Sequence, residues 1–387
     1  MKISTARWSC LEGTLAAWQK TGLAFLLDCK DGILPLENGC ADEFGLYYFV
    51  PLVAKTFSIS LESALWWWDL GLTSFGVIIA VSGFWLLAHT KLEKVIACTG
   101  TVAVGVVSWI IGDVYIAPFF ALSLLPWLFV CLQRGWYKRL LVYCVLLGLV
   151  AGFTNSIRMY SGFALLLGVI AALILFFKTI KKIWLPAGCF AMGFLAYSVW
   201  FSSLIMVRNS YLDEQKISRG LYEQQHLFWH STYLGFGFLT NPYGIYYGDS
   251  CAAEHAQKIN PAIVYPSTKY NELLRKMTFQ FCCEHPHFVM RTLFAKAGVL
   301  LYYLLMCANI GLFLAWFYRK PWYIDSTYAA VLAFSAVPSF LTIPIAPYLT
   351  GFFTVATFYG IHSIVWALQQ GFLKDVRLFL KRLFGQK

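Results

Sequence analysis

Two adjacent carboxylates, Asp42 and Glu43, lead straight into the aromatic segment Phe44–Lys55 of a chain in which only 13% of the residues are charged. A carboxylate can act as general base toward a hydroxyl or amine, and a second one beside it can orient that acceptor or hold a metal such as Mg or Mn. Two further ionisable residues stand at the edges of apolar runs: Asp113 in GDVY and Arg158 in NSIRMYSG. Charge at such an edge is costly, and its natural reading is a pathway or a reaction centre. A guanidinium matches phosphate oxygens in a two-pronged geometry, which makes Arg158 the candidate partner of a phosphate. The structural alternatives are a helix cap for Asp113 and a headgroup-reaching side chain for Arg158. As a set, these residues suit transfer of a group from a lipid-linked phosphate, with Asp42 as the base and Glu43 and Asp113 in support.

Such chemistry needs a membrane face. The 387 residues are 59% hydrophobic and 18% aromatic, far from the composition of a soluble domain. The expected fold is all-α: a polytopic membrane bundle of about nine or ten transmembrane helices, with interfacial helices and one larger extracytoplasmic loop subdomain. The net charge of +11 falls in short clusters between apolar runs rather than on one folded surface, which argues against a nucleic-acid partner. Hydropathy places spans near 69–88, 95–112, 116–132, 138–153, 161–177, 183–206, 295–317, 327–346 and 349–369. HTKLEK (89–94), QRGWYKR (133–139), FKTIKK (177–182), FYRK (317–320) and KDVRLFLKR (374–382) fall on one side and hold nearly all the short-loop Lys and Arg. By the positive-inside rule that side is cytoplasmic, which puts Asp42, Glu43, Asp113 and Arg158 together on the outer side.

The chain divides into four parts: 1–40, a weak N-terminal helix or incomplete first span; 41–206, the membrane domain; 207–294, the outer loop subdomain; and 295–387, the last spans and a basic tail. In the first part Gln19 and Lys20 interrupt the apolar run Thr14–Leu27, and no cleavable signal peptide is evident. Sidedness then requires either that 11–28 crosses despite its polar residues or that the authentic start lies upstream of Met1. Phe44–Trp68 has the composition of one or two helices in the headgroup layer anchored by Trp66–Trp68; the alternative is simply the start of a span. Lys55 in this segment and Lys296 at the loop's return to the membrane are further candidates for a donor phosphate or for anionic headgroups. In the outer loop, His226, Trp229, His230, Asn241 and Asp249 lie in an aromatic, glycine-punctuated stretch. That is the make-up of a sugar-binding surface or of an aromatic lid. Without the acidic residue of a zinc-protease motif, the two histidines do not make a metal site. Among the eleven cysteines, a disulfide from Cys251 to Cys282 or Cys283 and free thiols are both open.

This layout resembles the GT-C superfamily of integral-membrane glycosyltransferases, which includes protein O-mannosyltransferases and the bacterial aminoarabinose transferase. The resemblance runs from about Asp42 to the tail. It rests on the acidic pair in ADE (41–43), the segment after it, Asp113 in the next outer loop, and the large later loop. Asn155, Arg158, Ser161 and Gly162, and Trp229, His230, Tyr233, Gly235 and Gly237, also look like stretches in uncharacterised bacterial members. The resemblance implies a bacterial inner-membrane enzyme with a polyprenyl-phosphate-sugar donor, a glycan, lipid or protein acceptor at the outer face, and inversion at the sugar carbon. It matches Asp42 to the family's catalytic aspartate, Glu43 to the second residue of the pair and Asp113 to the second-loop carboxylate. A lipid-linked saccharide flippase or a non-catalytic cell-envelope assembly partner are the readings from other classes. A transporter tends to carry mid-bilayer charge and repeated halves, and neither pattern is visible here.

Overall fold

The computed structural model describes residues 3–30, 32–38, 40, 43–177, 179–218, 227–265 and 267–383. The candidate residues Asp42 and His226 lie outside them.

The chain begins with helix α1 (Thr5–Thr21), capped by the Ser4 hydroxyl and closed by Gly22 in the left-handed region at φ 74°. A short hairpin follows, with β1 (Leu26–Cys29) antiparallel to β2 (Gly32–Pro35). The run at 14–27 is therefore a helix end, a turn and a strand rather than one crossing helix. The break comes where Gly22 lets the backbone reverse. Helix α2 (Gly45–Phe57) and the long α3 (Leu61–Leu87) come next. Trp66–Trp68 thus belong to the first turns of α3, which Ser60 caps ahead of them, in keeping with the start-of-span alternative. Phe49 stacks on Trp68 at 5.4 Å and so ties α2 to that end of α3.

The bundle continues through α4 (Lys91–Ile111), a 3-10 turn (Asp113–Ile116), α5 (Ala117–Leu122), α6 (Leu125–Gln133), α7 (Tyr137–Ile157), α8 (Met159–Phe176) and α9 (Ile180–Glu214). The loop subdomain holds α10 (Phe228–Leu234), α11 (Asp249–Ile259) and α12 (Thr268–Glu284). Then come α13 (Pro286–Phe317), α14 (Trp322–Leu341), α15 (Ala346–Gln369) and α16 (Phe372–Leu383). Among the described residues nine segments are long and apolar enough to cross a membrane, counting 113–133 as one. They correspond one for one to the nine expected. α9 and α13 run beyond the expected bounds, and at 35 and 32 residues both exceed the roughly 20 that a bilayer requires.

Long-range polar contacts sort the turns onto two faces. On one, Arg134 donates to Leu86 O, Gln369 to Leu87 O and Lys320 to Ser363 Oγ. There Glu93 closes a capping arrangement in which Thr90 Oγ1 accepts from Glu93 N and Glu93 Oε2 accepts from His89 N. On the other face, Asp113 meets Asp69, Arg158 meets Glu43 and Tyr247 meets Tyr348. The N-terminal elements pack on this second face. Arg7 pairs with Asp113, Arg208 of α9 pairs with Glu37 at 2.7 Å, and Cys10 is disulfide-bonded to Cys40. Of the two options left open for Cys251, Cys282 and Cys283, free thiols hold, and the disulfide joins Cys10 to Cys40, a pair the sequence reading did not single out. Cys251 is a buried free thiol whose Sγ hydrogen-bonds Gly244 O and Tyr246 N, and Cys282 and Cys283 are also free.

Candidate active site

Arg158 is the one-residue break between α7 and α8, its backbone extended at φ −151°, ψ 109°. The motif around it makes that break. Gly162 N donates to Asn155 Oδ1 at 2.9 Å and Ser161 N to Arg158 O at 2.9 Å, so the end of α7 folds onto the start of α8. Position 162 must be glycine, since a Cβ there would lie 2.0 Å from Ala151 O. The result buries the guanidinium: Arg158 is only 5% exposed, which excludes the headgroup-reaching alternative. Tyr115 and Tyr160 face it with ring centroids at 5.2 and 5.5 Å.

Glu43 reaches Arg158 because α2 starts hard against the end of α7. A Cβ on Gly45 would stand 2.6 Å from Ser156 O, and only a glycine permits that approach. Glu43 Oε1 accepts from Met159 N at 3.1 Å, while Oε2 stands 3.6 Å from Arg158 Nη1, an ion pair rather than a hydrogen bond. Both side chains are almost wholly buried, so removing Arg158 leaves Glu43 as a buried charge.

Tyr115 links this pair to a second one. Arg7 of α1 lies over the same ring at 5.5 Å, and its Nη1 donates to Asp113 Oδ2 at 2.5 Å. Asp113 sits in the left-handed region at φ 60°, directly after Gly112 at φ 66°. A non-glycine residue held there is strained unless its surroundings fix it. Here the fixing contacts are Arg7 and Asp69, whose Oδ2 accepts from Asp113 N at 3.4 Å. Three sequence-predicted residues, Glu43, Asp113 and Arg158, thus gather around one tyrosine. Arg7, Asp69 and Tyr115 complete the cluster and were not expected. The available signal for Arg7 was a basic residue on a helix too polar to span.

A groove of about 220 Å³ leads away from Arg158 and Glu43. Phe163 of α8 and Phe334, Val337 and Leu341 of α14 form its apolar walls, and Phe228, Ser231 and Thr232 of α10 its third side. Tyr348 borders the charged end, where its hydroxyl meets that of Tyr247 at 2.9 Å. Burial pushes the Tyr247 phenol above its ordinary range, tempered mainly by its hydrogen bond with Tyr348. The groove is therefore apolar along its length and carries the Arg158–Glu43 ion pair at one end.

The remaining candidates lie elsewhere. Lys55 is exposed on α2, 5.3 Å from the Trp18 ring, and does not line the groove. Lys296 is buried, and its Nζ donates to Phe340 O at 2.8 Å and to Thr342 O, the carbonyls at the end of α14. It caps a helix end rather than facing the groove. Lys296→Met is expected to leave those carbonyls without a charged donor and to cost roughly 1–3 kcal/mol, read as a lower unfolding temperature in detergent. An unchanged unfolding temperature would remove the capping role.

In the subdomain, His230 Nδ1 meets Tyr270 Oη at 2.7 Å and Nε2 meets Asp249 Oδ1 at 3.2 Å. Trp229 N donates to Asn271 Oδ1, and its ring packs on Phe228 and Phe279. Asn241 spends its amide on the loop itself, donating to Leu239 O and Ile245 O and accepting from Tyr243 N and Ile245 N. That leaves it no free group for a sugar and makes it a turn staple. Gly235 and Gly237 are close backbone approaches, to Leu341 O and to Tyr246. Tyr233 Oη meets His255 Nδ1 at 2.8 Å; burial raises the phenol to about 12, and burial, together with Lys258, lowers the imidazole. The stretch 227–249 is thus mostly a packed aromatic core, with α10 presenting one side to the groove.

Among the described residues no group of three or more His, Cys, Asp and Glu side chains is placed to hold a metal ion. Glu43 and Asp113 each face an arginine, so a divalent cation shared between them would have to displace a guanidinium. No family model matches the chain, and no curated protein or solved structure matches it either.

Proposed function

We propose that this multi-pass membrane protein is a glycosyltransferase of the GT-C kind, moving a sugar from a polyprenyl-phosphate donor to an acceptor at the extracytoplasmic face. The observation that carries the proposal is the apolar groove ending on buried Arg158 and Glu43. Two features support the sidedness. The basic short loops lie opposite the Arg158 face, and the Cys10–Cys40 disulfide on that face suits an oxidising compartment.

In this reading the prenyl chain lies along Phe163, Phe334 and Leu341, and the donor phosphate takes up Arg158. Asp42, adjacent in sequence to Glu43, removes the proton from the acceptor hydroxyl or amine. The acceptor forms its bond to the sugar carbon as the bond from that carbon to the phosphate oxygen breaks. The leaving phosphate keeps the electron pair and gains a second negative charge, which Arg158 stabilises. Attack opposite the leaving group inverts the sugar carbon. Glu43 holds the guanidinium in place, and Asp113 holds Arg7 against Tyr115.

The test supplies the purified full chain in proteoliposomes with polyprenyl-phosphate hexoses and pentoses carrying labelled sugars, together with an extract of envelope glycans, lipids and proteins. The expected result is chain-dependent release of free polyprenyl phosphate and label in the acceptor fraction. Movement of intact lipid-linked sugar across the bilayer without bond cleavage would assign the chain to the transporter class instead.

A further inference from the structure

Next to Asp113, α3 and α4 border a second cavity of about 280 Å³ that shares no lining residue with the groove. Leu65, Trp66, Trp109 and Ile110 form its walls, and Asp69 and Asp113 its polar end. Asp69 is 3% exposed. One of its oxygens accepts from Asp113 N at 3.4 Å; the other, Oδ1, is buried and has no hydrogen-bond partner. A buried carboxylate oxygen left without a donor is costly, and the cost is offset when a ligand supplies one.

The chemistry of that ligand follows from the walls. Trp66, Trp109 and Ile110 are substantially exposed on apolar, membrane-spanning helices, so the cavity opens toward lipid rather than into the bundle. Indole faces attract cations, and a carboxylate oxygen accepts strongly from an ammonium N–H. An anion is disfavoured by the Asp69 carboxylate, since the nearby guanidinium of Arg7 is already paired with Asp113. We propose that this cavity binds the protonated amine of a small headgroup, an N–H donating to Asp69 Oδ1 and the ammonium lying against Trp66 and Trp109. The site is separate from the Arg158 end of the groove, and its occupancy does not depend on the glycosyl-transfer reading. An aminophospholipid and a soluble amine share this chemistry.

The test is native mass spectrometry of the purified full chain from mixed micelles holding equal phosphatidylethanolamine and phosphatidylglycerol, repeated with free ethanolamine in excess. Retention of phosphatidylethanolamine is expected to exceed that of phosphatidylglycerol by about tenfold, the scale of one charge-assisted hydrogen bond. D69N is expected to bring the two to parity. Displacement by free ethanolamine identifies a soluble amine as able to fill the site; retention against it assigns the site to the lipid. W109L, which leaves the carboxylates in place, is expected to reduce the preference about threefold through loss of the ring, and it serves where D69N does not fold. Equal retention of the two lipids by the unaltered chain, or a preference that survives both substitutions, overturns the proposal.

Discussion

Asp42→Asn is expected to lower sugar transfer by about 10²–10⁴-fold, the usual contribution of a general base, with donor binding unchanged. The amide has the shape of the carboxylate but cannot take a proton at neutral pH. The neighbouring Glu43 is held by Met159 N and Arg158 and is not free to replace it. The split matters more than the loss: a structural role for Asp42 would weaken binding and insertion together, whereas a base acts on turnover alone. Transfer by the variant at the rate of the unaltered chain would remove Asp42 from the chemistry.

Arg158→Ala is expected to act twice. It removes the group that meets the donor phosphate, so affinity for a polyprenyl phosphate should fall by at least about tenfold, the scale of one lost charge-assisted hydrogen bond. It also strands Glu43 as a buried charge, at a cost to stability of about 3–5 kcal/mol. The two effects separate in the double variant Arg158→Met with Glu43→Gln, which removes both charges and keeps the volume. Stability should recover in large part there, while phosphate binding should not. Arg158→Lys should restore part of the binding at most, because an ammonium lacks the planar fork. Full binding by the double variant would show that the pair is structural only.

Much of the bundle was legible because lipid imposes a simple requirement, a run of about 20 apolar residues that satisfies its own backbone. Bounds slipped where polar residues lie inside a helix. α3 starts at Leu61 rather than 69, since Glu62 and Asp69 lower the local hydropathy although Ser60 caps the helix and Asp69 finds a partner in Asp113. The gathering of Glu43, Asp113 and Arg158 followed from sidedness alone. The arginine facing Asp113 did not, because Arg7 is 106 residues away on a segment whose polarity pointed to a poor span. The Cys10–Cys40 bond was missed for the same reason: its cysteines lie in the N-terminal part, read only as a weak helix or incomplete first span. Asn241, Gly235 and Gly237 looked like parts of a sugar site, yet they serve turns and close backbone contacts, which asparagine and glycine also favour.

The most direct measurement is an experimental structure of the full chain with a polyprenyl phosphate bound. The account predicts prenyl density between α8, α10 and α14, along Phe163, Phe334 and Leu341, with the phosphate against Arg158. Prenyl density on any other surface, or a phosphate bound among the basic loops of the opposite face, would contradict it.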